Sequence, residues 1–97
     1  MNNTESPDKQ TLLKQIPKLT NGYRLQWEPA QDSFVVLYPE GMKVLSESAS
    51  EIVQQCTGEQ DVAAIIEALE KKFPGVELAK DVLDFIAGAT DEGWLHV

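Results

Sequence analysis

An α+β fold, with a three-stranded antiparallel sheet followed by a three-helix bundle, is predicted by two features of this 97-residue sequence. Between Gly22 and Leu45, short runs of alternating or wholly apolar residues are separated by Pro, Gly and Asp, the pattern of strands and turns. From Ser48 onward the apolar residues recur at three- and four-residue spacing between capping residues, the pattern of amphipathic helices. With 42% hydrophobic residues, the chain is long enough for one compact domain with a modest core.

The opening MNNTESPDKQ is polar and contains Pro7, which predicts a flexible tail over residues 1–10 ahead of a single domain at 11–97. Leu12, Leu13, Ile16 and Leu19 have helical spacing, but Pro17 obstructs a continuous helix, so residues 11–21 are predicted to form a covering arm.

Three strands follow, at about 22–27, 34–38 and 41–45. Tyr23, Leu25 and Trp27 alternate with Arg24 and Gln26, as in a half-buried strand. Phe34 to Tyr38 is apolar throughout, which places it at the centre of the sheet, because a strand covered on both faces loses its alternation. Tyr38-Pro39-Glu40-Gly41 predicts a three-residue hairpin loop with a left-handed Gly41 and a bulge. The third strand then lies at the sheet's outside, with one hydrogen-bonding edge unpaired by its neighbours.

The helices are predicted at about 48–57, 61–73 and 77–92. Ser48-Ala49-Ser50-Glu51 fits a capping box, Ala49, Ile52, Val53 and Cys56 make a stripe, and Gly58 supplies the exit. The second helix starts near Asp61, carries Val62, Ile65, Ile66, Leu69 and Phe73 on one side, and stops by Pro74-Gly75. A short link joins these two as in a helix-turn-helix.

The third helix is broader. Leu78, Val82, Phe85, Ile86 and Ala89 fill an ordinary core stripe, yet Ala79, Leu83, Ala87 and Thr90 widen the uncharged arc to about 200°, roughly twice what one packed face needs. Either the arm or a second copy of the chain covers the surplus, or it is a binding face. Gly93 ends this helix, and Trp94 folds back on its last turn as a structural plug.

Chemistry-bearing residues are sparse. Cys56 sits on a core stripe, where it reads as a small buried hydrophobe, and His96, the single histidine, lies one residue from the end. Asp81 and Asp84 fall on a polar helix face and read as solvated. One Cys and one His cannot make a structural zinc shell, no calcium loop is present, and the glycines form no phosphate-binding motif. The expectation is a protein that is not an enzyme and carries no cofactor.

The net charge of −8 disfavours nucleic acid, so a winged-helix DNA-binding regulator is the weaker reading. Residues 1–45 hold five basic and five acidic groups, and residues 46–97 hold three basic and eleven acidic, which places the whole excess in the helical part. No apolar run reaches the roughly 18 residues of a membrane helix, and the N-terminus has no signal-peptide pattern. With one cysteine no intramolecular disulfide can form, and the chain reads as cytoplasmic.

The feature that remains is a surface for recognising another chain. The edge of Met42, Lys43, Val44 and Leu45 offers unpaired N–H and C=O groups to an added strand. Four added hydrogen bonds at roughly 1 kcal/mol each fall short of the about −8 kcal/mol of micromolar binding, so side-chain burial must contribute. Leu83 and Ile86 are the expected contributors. A structural dimer, in which the edge pairs with its own copy, is a further rival.

The segments GYRLQWE (22–28), VVLYPEGMKVLSESASEIVQQCTGEQDV (35–62) and DVLDFIAGATDEGWL (81–95) closely resemble the pyrroloquinoline quinone (PQQ) synthesis protein D family, from about residue 17 onward. The resemblance implies a winged helix-turn-helix-like module, a prototype of the recognition elements of ribosomally made, modified peptides. It implies a non-enzymatic chaperone that binds the precursor peptide PqqA as a strand between the third strand and the third helix. It further implies presentation of that peptide to the radical S-adenosylmethionine enzyme PqqE, which holds the iron-sulfur clusters. By position, the peptide-binding residues are then Met42, Lys43, Val44, Leu45, Ala79, Leu83, Ile86, Ala87 and Thr90. Ser46 stands where much of the family is expected to carry asparagine, and both residue types can begin a helix.

Overall fold

A computed structural model describes residues 9–97; the first eight residues of the predicted tail lie outside the described residues. Lys9 and Gln10, predicted as tail, instead open a short helix, α1 (Lys9–Leu13). The chain then runs through β1 (Lys18–Leu19), β2 (Arg24–Glu28), β3 (Ser33–Tyr38), β4 (Gly41–Val44), α2 (Glu47–Gln54), α3 (Val62–Lys72), α4 (Ala79–Glu92) and β5 (Leu95–His96). Among the described residues four helices are present where three were expected, and β1 pairs with β5 in a second, two-stranded sheet. Two residues per strand are too few for a periodic signal, which is why the sequence did not reveal that ladder.

The main sheet is antiparallel in the order β2-β3-β4, with the apolar β3 central as its composition predicts. Val35 and Val36, on opposite faces of β3, are both fully buried. The β3–β4 hairpin differs from expectation. Tyr38 pairs with Gly41, so the loop is the two residues Pro39 and Glu40, and Gly41 is a strand residue outside the left-handed region. Tyr38 stacks on Tyr23 with ring centroids 5.2 Å apart, which fixes this end of the sheet.

Helix α2 starts earlier than the predicted capping box. Ser46 is its N-cap, and the Ala49 N–H donates to Ser46 Oγ at 3.1 Å, while Ser50 is buried and donates to the Glu47 carbonyl. The physical reason is Leu45, which must enter the core directly after β4 and leaves no residues for a linker. Asp61 caps α3 as expected, accepting from the Ala64 N–H at 2.9 Å. Phe73, predicted on the core stripe of α3, is exposed, because the helix ends at Lys72 and its C-cap residue turns outward ahead of Pro74. Gly93 closes α4 at φ 91°, with its N–H donating to Ala89 and Thr90 carbonyls and the Trp94 N–H donating to Ala89.

The core joins Val36 and Leu45 from the sheet to Ile52, Val53, Val62, Ile65, Ile66, Leu69, Val82, Leu83, Ile86 and Ala89 from the helices. Cys56 belongs to it; its thiol donates to the Ile52 carbonyl, and burial pushes its pKa up to about 12. The arm is stitched across this core. Gln15 and Pro17 carbonyls accept from Val62 and Gly58 N–H groups, the Thr20 N–H donates to the Trp94 carbonyl, and Thr20 Oγ1 donates to the Gly93 carbonyl at 2.7 Å. No helix among the described residues is long and apolar enough to cross a membrane.

Candidate functional site: an open sheet edge beside the last helix

The outer edge of β4 has no strand partner among the described residues. The Leu45 N–H donates to the Phe34 carbonyl at 3.0 Å, so Leu45 turns its backbone polar groups toward β3. Because antiparallel strands alternate the side to which successive residues direct these groups, Lys43 also faces β3, and Met42 and Val44 direct theirs to the open edge. That edge therefore offers two donors and two acceptors.

A row of side chains connects β4 to α4. Lys43 Nζ lies 3.7 Å from Glu92 Oε1, the same oxygen accepts from Trp94 Nε1 at 3.1 Å, and the Trp94 ring meets Phe85 edge-on with centroids 5.6 Å apart. Trp94 is buried, as expected of a plug. The Lys43–Glu92 pair is solvent-exposed on both sides and contributes about 0–1 kcal/mol.

This row defines which side of α4 faces the edge. At about 100° per residue, Leu78, Asp81 and Phe85 stand within about 40° of Glu92, whereas Ala79, Leu83, Ile86, Ala87 and Thr90 stand about 120–180° away. All five α4 residues that the sequence singled out thus belong to the far side. Ile86 has no exposed surface and Leu83 only 7%; Ala79 and Ala87 are exposed, and Thr90 is half-buried. The cause is α1, which packs against α3 and α4 and contributes Leu12 to the core that holds Leu83 and Ile86. The protein's own arm thus takes up the surplus apolar arc at Leu83 and leaves Ala79 and Ala87 exposed. Of the four strand residues, Met42 and Val44 are exposed, Lys43 is half-buried, and Leu45 points into the core.

Sequence reasoning missed an apolar cleft of about 670 Å³ on the near side, where α2, α3 and α4 converge just past the end of β4. Ile52, Phe73, Val76, Leu78 and Phe85 line it, and Glu47 and Asp81 stand at its border. The available signal was the apolar pair Phe73 and Val76 flanking Pro74-Gly75, a linker position where large apolar residues are otherwise wasted on solvent.

Thr90 tests the assignment of sides. Its Oγ1 is buried without a hydrogen-bond partner among the described residues, so Thr90→Val should stabilise the fold by about 0.5–1 kcal/mol. Because Thr90 faces away from β4, that variant should leave the amide signals of residues 42–45 in place, and urea unfolding with an amide spectrum of the same sample checks both halves.

Among the described residues no group of three His, Cys, Asp or Glu side chains could hold a metal ion. The class defined by fold and site is a small α+β protein with an unpaired sheet edge running beside its last helix. A model of the Coenzyme PQQ synthesis protein D (PqqD) family matches residues 33–95, and the chain belongs to that family. It is 45% identical over 91 residues to a PqqA binding protein of Azotobacter vinelandii, covering 91% of this chain and 97% of that one. It is 51% identical over 82 residues to PqqA binding protein 1 of Pseudomonas putida, covering 84% and 90%. Its fold is similar to the solution structure of the PqqD truncation of Methylobacterium extorquens PqqCD, described as a stand-alone recognition element for ribosomally synthesised, modified peptides. That likeness has a TM-score of 0.70 at 24% identity over 84% of this chain and 88% of the other, and carries the fold alone.

Proposed function

We propose that this protein is a non-enzymatic peptide chaperone of PQQ synthesis, acting in the cytoplasm, that binds the precursor peptide PqqA by strand addition to β4 and presents it to the radical S-adenosylmethionine enzyme PqqE. The open edge of Met42 and Val44 beside α4 is the single observation that carries this reading. The names of the curated relatives support the identity of the guest. Energetics support a groove rather than a bare edge. Four hydrogen bonds contribute about 4 kcal/mol, and one or two guest side chains buried against Phe85 and Leu78 contribute roughly 1.5–3 kcal/mol each. Part of that total is spent on ordering the peptide.

The site proposed is therefore Met42, Lys43 and Val44, with Leu45 as the buried anchor, facing the side of α4 that carries Leu78, Asp81, Phe85 and Glu92. Titration of unlabelled PqqA into isotope-labelled protein should shift the backbone amide signals of residues 42–45 and of α4. Shifts confined to α3 and the α2–α3 link would overturn the assignment, and a doubling of molecular mass in the absence of peptide would show the edge pairing with its own copy.

A further inference from the structure

Chain geometry sets what lies past the open edge. The pairing of β4 ends at Val44, Leu45 enters the core, and Ser46 already caps α2. A strand added to Met42 and Val44 therefore runs out of partners within about two residues, roughly 7 Å of chain. What it reaches there is the cleft between α2, α3 and α4. Edge and cleft are continuous, because Ser46 both ends the one and lines the other.

The protein leaves this cleft open. Phe73 and Val76 on its wall keep 39% and 50% of their surface exposed. Its border carries charge of one sign. Of the three carboxylates that line it, Glu51 is paired with Lys72 at 2.7 Å, whereas Glu47 and Asp81 form no ion pair with a described cation. Both stand in the first turn of their helix. Each helix N-terminus offsets about half an elementary charge, so about −1 of their combined charge is left over. At α4 the offset is smaller still, since Glu70 Oε2 already accepts from the Leu78 N–H at 2.8 Å.

We propose that the cleft reads the guest's sequence: it takes one bulky apolar side chain, and Glu47 and Asp81 select a lysine or arginine on the same face of the guest. The inference rests on strand addition at β4, which delivers the guest to the mouth. An acidic residue in place of the cation is rejected by the same two carboxylates. A second copy of the chain is the poorer occupant, because its charge of −8 has the sign of the border it would have to approach.

The test titrates PqqA into full-length protein with labelled methyl and amide groups. Three variants accompany the wild type: Glu47→Gln/Asp81→Asn, Val76→Ser, and Glu59→Gln/Glu67→Gln, which removes the same charge from exposed positions outside the cleft. Circular dichroism checks that each is folded. The expected result is a shift of the Ile52, Val76 and Leu78 methyl signals together with the amides of residues 42–45. Affinity should fall about fivefold for Glu47→Gln/Asp81→Asn, with a flatter salt dependence. Val76→Ser should lose about threefold, and the control pair should bind as the wild type does. Equal losses in the control pair overturn the proposal, since attraction would then be long-range. Amide shifts without methyl shifts overturn the pocket and leave strand addition standing, whereas methyl shifts without amide shifts overturn strand addition and leave the pocket. Shifts in neither overturn both. A doubled mass in the absence of peptide, with the cleft methyls shifted, assigns the cleft to a second copy and overturns the proposal as well.

Discussion

Val44→Pro should weaken peptide binding by about tenfold or more, at least 1.4 kcal/mol, while leaving the fold nearly intact. The N–H of Val44 points away from β3, so proline removes no rung of the existing ladder. Edge strands tolerate proline in that orientation. A guest strand loses one donor and meets the ring where its own backbone must approach, which disrupts the neighbouring bonds as well. Lys43→Pro is the counterpart, because the Lys43 N–H belongs to the β3–β4 ladder and its loss should lower the melting temperature. Calorimetric titration with circular dichroism melts of both variants separates the outcomes. A Val44→Pro protein that binds peptide like the parent would remove strand addition from consideration.

Trp94→Ala should cost about 3–5 kcal/mol of stability, the usual loss for truncating a buried aromatic. Domains of this size have some 5–15 kcal/mol in total, and each kilocalorie shifts the melting temperature by about 4–8 °C, so a fall of 12 °C or more is expected. Trp94 is 5% exposed, packs edge-on against Phe85 and donates to Glu92, at the point where the chain leaves α4 through Gly93. Trp94→Phe keeps the ring contact and loses the hydrogen bond, and should cost about 1 kcal/mol. Thermal and urea unfolding measure both, and a loss below 1 kcal/mol for Trp94→Ala would mean that the plug does not hold α4 in place.

Much of the architecture was legible because it rests on local signals. The wholly apolar FVVLY marked the central strand, Asp61 marked the start of α3, and Gly93 with Trp94 marked the end of α4. The misses are tertiary. The sequence shows that α4 has a broad uncharged arc, but not which part of it the arm covers. Leu12 and Leu83 come to share one core only in the folded chain, while Phe85 stays half-buried. The α4 residues singled out from the arc therefore stand on the side away from Glu92, while Met42 and Val44 lie on the open edge that the order of the strands implied. The two-residue hairpin was missed because Gly41 suggested a left-handed corner that the backbone does not take.

The short ladder between β1 and β5 has a mechanical consequence. Lys18 sits opposite His96 and Leu19 opposite Leu95, so tension applied to the two ends of the chain would peel the rungs one after another, like a zip, instead of shearing them together. The arm should be the first element to detach under load, uncovering the Leu83 side of α4 while the three-stranded sheet, which carries none of that load directly, keeps its border intact.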